Sequence, residues 1–449
     1  MTTKETEEIL KWDAEHLIHG ATPIGKNQGI LIDKAKGVTL YDCNGKGYID
    51  AASQLTCVNL GYAYNNEIAA VVAEHMARLP YSTLFFGIAN LITIECGKRL
   101  AGLLPEGLDH FCFTSGGSES TETAFKLARL YWSNKGMSKY KIVSLYDSYH
   151  GMSFGSMSAT GAGKGAFHKG VAPMVPGFIH IPSYYCYRCT FGKKYPECDI
   201  QCAKFLEEVI EKEGPETVAA FIAEPELGTS GMIPPPPEYW PMVREICTKY
   251  DVLLIADEVM TGFGRTGKAF AIEHWGIKPD IMAMAKGISS AYLPFGAVAV
   301  NDNVYDGLEG SALSTFTYSG HPVCAAVASK VMQIYIRDKV FENAANMGKY
   351  AMERLKAQFL PLPCVGEVSG LGLMIGIEIV ADKATGKPLP PGLLFTIQAQ
   401  ALQSGLFIRV ADSAFMSGSR VGFSPPLVIT KKELDGALDM LYPILANLG

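Results

Sequence analysis

Two charged residues close otherwise apolar runs in the middle of this chain, and their chemistries are complementary. Asp257 ends the run "VLLIAD" and Lys286 ends "DIMAMAK". A buried carboxylate is costly unless it meets a cation. A buried lysine tends to lose its proton and become a nucleophile. In isolation the plain reading is an Asp–Lys ion pair. Three further segments argue for more. "TSGGSES" (residues 114–120) puts Gly116 and Gly117 before a helical pattern, where backbone can approach a ligand and free N–H groups suit a phosphate. "SYHG" carries Tyr149, an aromatic able to stack on a flat ring, and "FTYSGHP" carries the hydroxyl of Thr317. Each segment alone reads equally well as a loop. Together they supply a phosphate cradle, a stacking face, a carboxylate for a ring nitrogen and a lysine for an aldehyde, which is the set pyridoxal phosphate requires.

The elements that must position these residues alternate. Strand-like runs "FCFTSG", "KIVSLY", "VAAFIAE", "VLLIADEV", "DIMAMAK" and "PFGAVAV" are separated by helical patterns. In "SESTETAFKLARLYW", Ala124, Leu127, Ala128 and Tyr131 recur at i, i+3, i+4 and i+7, one helical face. Continuous apolar runs between helices describe strands buried on both faces. In a parallel sheet Asp257 and Lys286 both reach the carboxyl edge, where ligands bind. Near the N-terminus, "GVTLYDCNGKGYIDAA" has an Asn-Gly turn between two extended pieces, a hairpin signal. After residue 325 helical patterns dominate, with "GLMIGIEIV" as a strand among them. The expectation is an α/β protein with three parts: 1–60 as the N-terminal share of a small domain, 61–325 as a large domain, and 326–449 as the C-terminal share of the small one.

The string "GFGRTG" (262–267) fits the G-x-G-x-x-G dinucleotide fingerprint. Its continuation "KAFAIEHWGIKPD" has no sustained helical period, and Asp280 precedes the next strand instead of ending it. The match is therefore read as accidental. The 449 residues carry a net charge of -6 with both signs interspersed, so no basic stripe offers a nucleic-acid footprint. No apolar leader and no membrane-length apolar run can be read, and the expectation is a cytoplasmic protein.

The run from "AAFIAEPELGTSGMIPPPPEYWPMVREICTKYDVLLIADEVMTGFGRTG" through "DIMAMAKGISSAYLPFGAVAV" closely resembles the class III pyridoxal-phosphate aminotransferases. The likeness extends from "GVTLYDCNGKGYIDAASQLTCVNLGY" through "FTYSGHPVCAAVA" to "GFSPPLVIT". The resemblance implies the type I fold of pyridoxal-phosphate enzymes, with a large, mostly parallel sheet domain and a smaller α/β domain from both chain ends. It also implies a homodimer or a dimer of dimers with shared sites. It assigns Lys286 the Schiff base with pyridoxal 5'-phosphate, Asp257 the pyridinium nitrogen, Val259 and Tyr149 the two ring faces, and Gly117 and Ser118 the phosphate. Thr317 would complete the phosphate site of the other subunit, and Arg409 in "GLFIRVAD" would receive a substrate carboxylate. Tyr81, Phe85 and Phe86 in "YSTLFF" would line the pocket of the neighbouring subunit, with Tyr149 also facing substrate.

Departures from the family pattern bear on the substrate. Glutamate-using members carry a second Glu where this chain has Thr229 in "EPELGTSG", and often Gln where it has Met260. Both changes resemble the ω-amino acid:pyruvate branch, so the expected reaction moves an amino group from an ω-amino acid or amine to a 2-oxo acid, pyruvate ahead of 2-oxoglutarate. Thr56 stands where many of that branch have Trp, which points to a wider or more polar pocket there. The segment "VADSAFMSGSRVGFSPP" is longer than the family pattern, and Arg420 within it is a rival anion receptor. The alternatives are a lyase, epimerase, mutase or decarboxylase reaction on the same cofactor, or transamination of an amino thioester. Six scattered cysteines (Cys43, Cys57, Cys112, Cys247, Cys324 and Cys364) read as small buried hydrophobes. Cys186, Cys189, Cys198 and Cys202 come close to zinc-ligand spacing, the last two at i and i+4 of a helix start. A surface excursion without metal is the reading preferred for them.

Overall fold

The computed structural model describes residues 3–22, 24, 29–163 and 165–448. After a first helix, Thr3–His16, the chain forms an antiparallel meander of β1 (Ile32–Lys36), β2 (Thr39–Asp42) and β3 (Gly47–Asp50). The Asn-Gly turn between β2 and β3 is where the sequence puts it. Gly45 has φ 86°, open to glycine at little cost, and Asp42 Oδ1 accepts the N–H groups of Asn44 and Lys46, both at 2.9 Å.

The middle of the chain builds a seven-stranded sheet from β4 (His110–Thr114), β5 (Lys141–Leu145), β6 (Phe178–Ile181), β7 (Val218–Ala223), β8 (Leu253–Asp257), β9 (Ile281–Met284) and β10 (Gly296–Val300). Their order is β4-β10-β9-β8-β7-β5-β6. The pairings from β9 to β6 are parallel, and β10 runs antiparallel to both its neighbours. Every residue of β7, β8, β9 and β10 is buried. Alternate side chains serve two cores, as a period of two requires. Leu253 and Ile255 pack with Ala124, Leu127, Ala128 and Tyr131 of the helix Gly117–Asn134. Leu254 packs with Trp240 and Val243 of the helix Tyr239–Lys249. Both helices and all six expected strands are present. The edge strand β6 is the one the sequence conceals, because it has only four residues and His180 interrupts its apolar run.

The third sheet uses β11 (Val365–Leu371), β12 (Met374–Asp382), the two-residue β13 (Lys387–Pro388) beside β12, β15 (Arg409–Ala411) and β16 (Arg420–Phe423), ordered β11-β12-β16-β15. Between β13 and β15, β14 (Leu406–Phe407) leaves this group and pairs in parallel with β3. The late chain therefore completes the N-terminal sheet.

The "GFGRTG" loop is a junction between these sheets. No helix follows it; turns lead to a short 3-10 turn at Ala271–Trp275. Arg265 is fully buried and donates to Leu373 O, Pro425 O, Ser53 Oγ and Asn59 Oδ1 at 2.6–3.1 Å. A Cβ on Gly264 would run into Phe341, and one on Gly267 would lie 3.0 Å from Ala345. The glycines admit close packing against one late-chain helix, Val340–Arg354.

Candidate active site

Because β4, β5, β7, β8 and β9 share one direction, the residues that follow them collect at one sheet edge. They enclose a cavity of about 390 Å³ lined by Ser115, Gly117, Ser118, Tyr149, His150, Glu224, Asp257, Val259 and Lys286, among others. Asp257 is 2% exposed at the end of β8. Its Oδ2 lies 2.7 Å from His150 Nδ1, and its Oδ1 accepts the Val259 N–H at 3.1 Å. Opposite a carboxylate, Nδ1 is the donor, and His150 Nε2 is buried without a hydrogen-bond partner. The Asp–Lys ion pair is not formed: the buried cation-capable partner of Asp257 is the histidine. Glu224, just past β7, is buried beside them and accepts the N–H groups of Tyr149 and Gly228, both at 2.9 Å. Burial pushes its carboxyl pKa up, and the Asp257 charge adds to that while His150 opposes it.

Lys286 follows β9 in a left-handed conformation, φ 44°, which costs a non-glycine residue of order 1 kcal/mol. No hydrogen bond or ion pair engages its Nζ among the described residues. Burial, and after it the nearby Arg409 charge, push its pKa down, so the amine is poised toward its neutral, nucleophilic form. Arg409 on β15 also lacks a hydrogen-bonding or ion-pairing partner for its guanidinium among the described residues. Its charge is felt by both Tyr149 and Lys286.

The phosphate cradle is built at the start of the helix Gly117–Asn134. A Cβ on Gly117 would lie 2.8 Å from Val259 Cγ1, so glycine lets the helix start seat against that side chain. Ser118 Oγ accepts the Met152 N–H at 3.1 Å. Ser115 Oγ is buried with no partner beside the first-turn N–H groups. An unsatisfied hydroxyl, free N–H groups at a helix start, Val259 and Tyr149 in the lining of one cavity, a carboxylate and an unpartnered amine together fit a phosphorylated, cationic aromatic aldehyde.

The remaining expectations fare differently. Thr317 and Phe86 are not at this cavity in the chain itself. Thr317 is exposed, with its carbonyl accepting the Tyr81 hydroxyl at 2.8 Å. Phe86 is 93% exposed and lines a separate apolar cleft with Leu84, Phe85 and Phe113. Thr56 does not widen the cavity. It is buried, 3.2 Å from Ser424 Oγ, and its neighbour Cys57 lines the cavity. The turn that carries them is kinked, with positive φ at Ser53, Gln54 and Thr56. Arg420 is no rival receptor. It is wholly buried, with its donors spent on Gly231 O, Glu367 and Ser369, and Glu378 lies beside it. Thr229 and Met260 both line the cavity.

Of the six scattered cysteines, Cys247 and Cys364 are buried, and the others are half-buried. Cys186, Cys189, Cys198 and Cys202 line one small crevice, and among the described residues no three of their sulfurs lie within 4.8 Å of one another. Cys198 precedes its helix, which begins at Gln201. His150, Glu224 and Ser115 had no assigned role in the sequence reading. The signal for the first two was their place one loop beyond a buried strand.

A family model described as aminotransferase class-III matches residues 22–445. The putrescine–pyruvate aminotransferase of Pseudomonas aeruginosa is 38% identical over 90% of this chain and 88% of that protein. The diaminobutyrate–2-oxoglutarate transaminase of Halomonas elongata is 37% identical over 97% and 94%. Among solved structures, a thermostable (S)-enantioselective omega-transaminase from Thermomicrobium roseum superposes with a TM-score of 0.92 at 40% identity, covering 98% of each chain. A Bacillus anthracis aminotransferase does so at 0.93 and 35% identity over 100% of each. The chain belongs to the class III aminotransferases and shares their type I fold and their dependence on pyridoxal phosphate.

Proposed function

We propose that this site transfers an amino group from an ω-amino acid or amine to a 2-oxo acid, with pyruvate the favoured acceptor. The observation that carries this reading is a pair of unpartnered basic side chains near enough for one charge to act on the other: Lys286 in the cavity for the chemistry, and Arg409 on β15 for a carboxylate. Thr229 offers no charge to neutralise that arginine, which leaves it open to substrate. The relative named for putrescine and pyruvate, and the omega-transaminase structure, support an amine donor and a pyruvate acceptor.

In this reading each residue has one task. The bound cofactor supplies an aldehyde and an electron-withdrawing ring. Asp257, oriented by His150, holds a positive charge at the ring nitrogen. Val259 and Tyr149 would flank the ring, and Gly117 and Ser118, with Ser115, would hold the phosphate. Lys286 Nζ would hold the cofactor through its aldehyde and, once released by a substrate amine, would serve as the base that moves a proton from the substrate carbon. Burial favours the neutral amine this needs.

Thr317, Phe86 and Tyr81 complete the site of a second copy, in a homodimer or a dimer of dimers. The exposure of Phe86, Tyr81 and Tyr318 supports such a covered surface. The division into a large cofactor-binding domain and a small domain from both ends is part of the same reading, supported by the pairing of β14 with β3. No described helix is long and apolar enough to cross a membrane. The free state of the cysteines supports a reducing, cytoplasmic setting.

The test is borohydride trapping of the holoenzyme followed by peptide mass spectrometry, with Lys286→Ala alongside. The adduct is expected on the peptide holding Lys286, and the variant is expected to lose both adduct and turnover. An adduct elsewhere, or normal turnover in the variant, overturns the assignment. Mixing the holoenzyme with paired amines and oxo acids then ranks donors and acceptors.

A further inference from the structure

Asp147 sits in the loop after β5, two residues before Tyr149, and is buried. Ser417 donates its hydroxyl to one carboxylate oxygen of Asp147, and Ser183 donates to the other. The carbonyl of Asp147 accepts the Ser230 hydroxyl at 2.6 Å. One residue thus ties together the loop that carries Tyr149, the segment after β6, the loop that carries Thr229, and the link 412–419 between β15 and β16.

That link begins three residues after Arg409, and it is the segment longer than the family pattern. Its near end is anchored separately: the Asp412 carboxylate accepts the N–H groups of Gly392, Leu394 and Ala414 at 2.9, 3.3 and 2.8 Å. Its far end is fixed by Ser417 on Asp147. Between them Met416 packs with Ala162 and Ala411, and Tyr149 and Phe167 lie against the same cluster. The Tyr149 ring meets the Phe167 ring edge-on, centroids 6.1 Å apart. Hydroxyl bonds to a buried carboxylate are stronger than neutral ones, so the far anchor is set by specific chemistry and not by apolar contact alone.

We propose that Asp147 and Ser417 form a latch that sets the position of the Arg409 hairpin relative to Tyr149, which makes them positioning residues for substrates that carry a carboxylate. The inference rests on Arg409 being the carboxylate receptor. A donor with a carboxylate spans from the amine at Lys286 to the guanidinium at Arg409, so its binding depends on the distance the latch fixes. A simple amine makes no contact with Arg409 and is indifferent to it. The latch touches neither Lys286 nor Asp257, so the proton-transfer chemistry is left intact.

The experiment compares holoenzyme and its Ser417→Ala variant with β-alanine and with propylamine at saturating pyruvate for each enzyme, reading kcat and the KM of each donor, so that the acceptor's own use of Arg409 is common to both. The expected result is a KM for β-alanine raised about tenfold, on the scale of one lost hydrogen bond to a charged group. Its kcat is unchanged, and the propylamine parameters stay within about twofold. Ser417→Thr, which keeps the hydroxyl, is expected to restore the β-alanine KM. A purely structural contact would move both donors together, and that result, or no change with either donor, overturns the latch. Arg409→Ala measured in parallel separates two failures. If it shifts the ratio of the donors while Ser417→Ala does not, the latch alone is wrong. If it leaves the ratio unchanged, the receptor reading falls with it.

Discussion

Replacing Arg409 by alanine is the sharpest perturbation of the site, because no hydrogen bond or ion pair among the described residues depends on that guanidinium. It forms no ion pair or hydrogen bond that its removal would orphan. Its loss therefore reports what it does for substrate, with little of the desolvation penalty that complicates most buried-charge deletions. A guanidinium meeting a carboxylate makes two charge-assisted hydrogen bonds in fixed geometry. At about 1.5–3 kcal/mol each before the cost of ordering the ligand, the net loss is of order 3–4 kcal/mol. That corresponds to a fall of roughly 10²–10³ in kcat/KM for β-alanine or 4-aminobutyrate. Propylamine should lose less than about threefold. The Arg409 charge also helps hold the Lys286 pKa down, burial being the larger cause. Without it the free amine gains basicity, and the acid limb of the pH–rate profile moves to higher pH. Both donors are therefore compared on the plateau of each enzyme's profile. Stopped-flow half-reactions, which follow the bleaching of the bound cofactor, isolate the donor step from the acceptor step. An equal loss for both donors, or an acid limb that moves down, would refute the placement of Arg409 beside Lys286.

Gly117→Ala puts a methyl 2.8 Å from Val259 Cγ1, so the phosphate cradle must open; cofactor titration should show an affinity at least about tenfold weaker with unchanged far-ultraviolet circular dichroism. Glu258 is fully buried, and burial pushes its pKa from 4.5 to about 7. The stability it contributes is present below pH 4.5 and is lost as the pH rises toward 7, up to ~3 kcal/mol. Glu258→Gln keeps the bond from the Ile272 N–H and should flatten that slope in urea melts between pH 4.5 and 8; an unchanged slope would place the cause elsewhere. Arg265→Met strands four buried acceptors from distant segments and should cost about 3–5 kcal/mol, read as a lower denaturant midpoint.

The chemistry of the site was legible wherever local sequence determines it. Asp257 and Lys286 stood out because each ends an apolar run too uniform for a half-exposed strand, and in a parallel sheet such ends share an edge. The Asn-Gly turn was equally plain. What escaped depends on the third dimension. Arg409 and Arg420 are alike as letters, and only the pairing of Arg420 with Glu367 and Ser369 removes it from contention. Thr56 faces Ser424 and Cys57 faces the cavity in a kinked turn, with positive φ at Ser53, Gln54 and Thr56, that no local pattern announces. His150 as the partner of Asp257 required knowing that β5 and β8 flank β7. The reversal of β10 was legible in principle: the link from Met284 to Gly296 is too short for the crossover a parallel return demands.

That sheet edge also works as a ruler. Asp257 ends β8, Glu224 directly follows β7 and Lys286 lies two residues past β9, three adjacent strands, so the interstrand spacing of about 4.8 Å sets their order and separation. No loop can vary that spacing without breaking backbone pairing. Thr229, Cys57 and the Arg409 hairpin hang from longer connections outside the ladder. Drift in donor preference is therefore cheap in this architecture, and drift in the reaction itself is not.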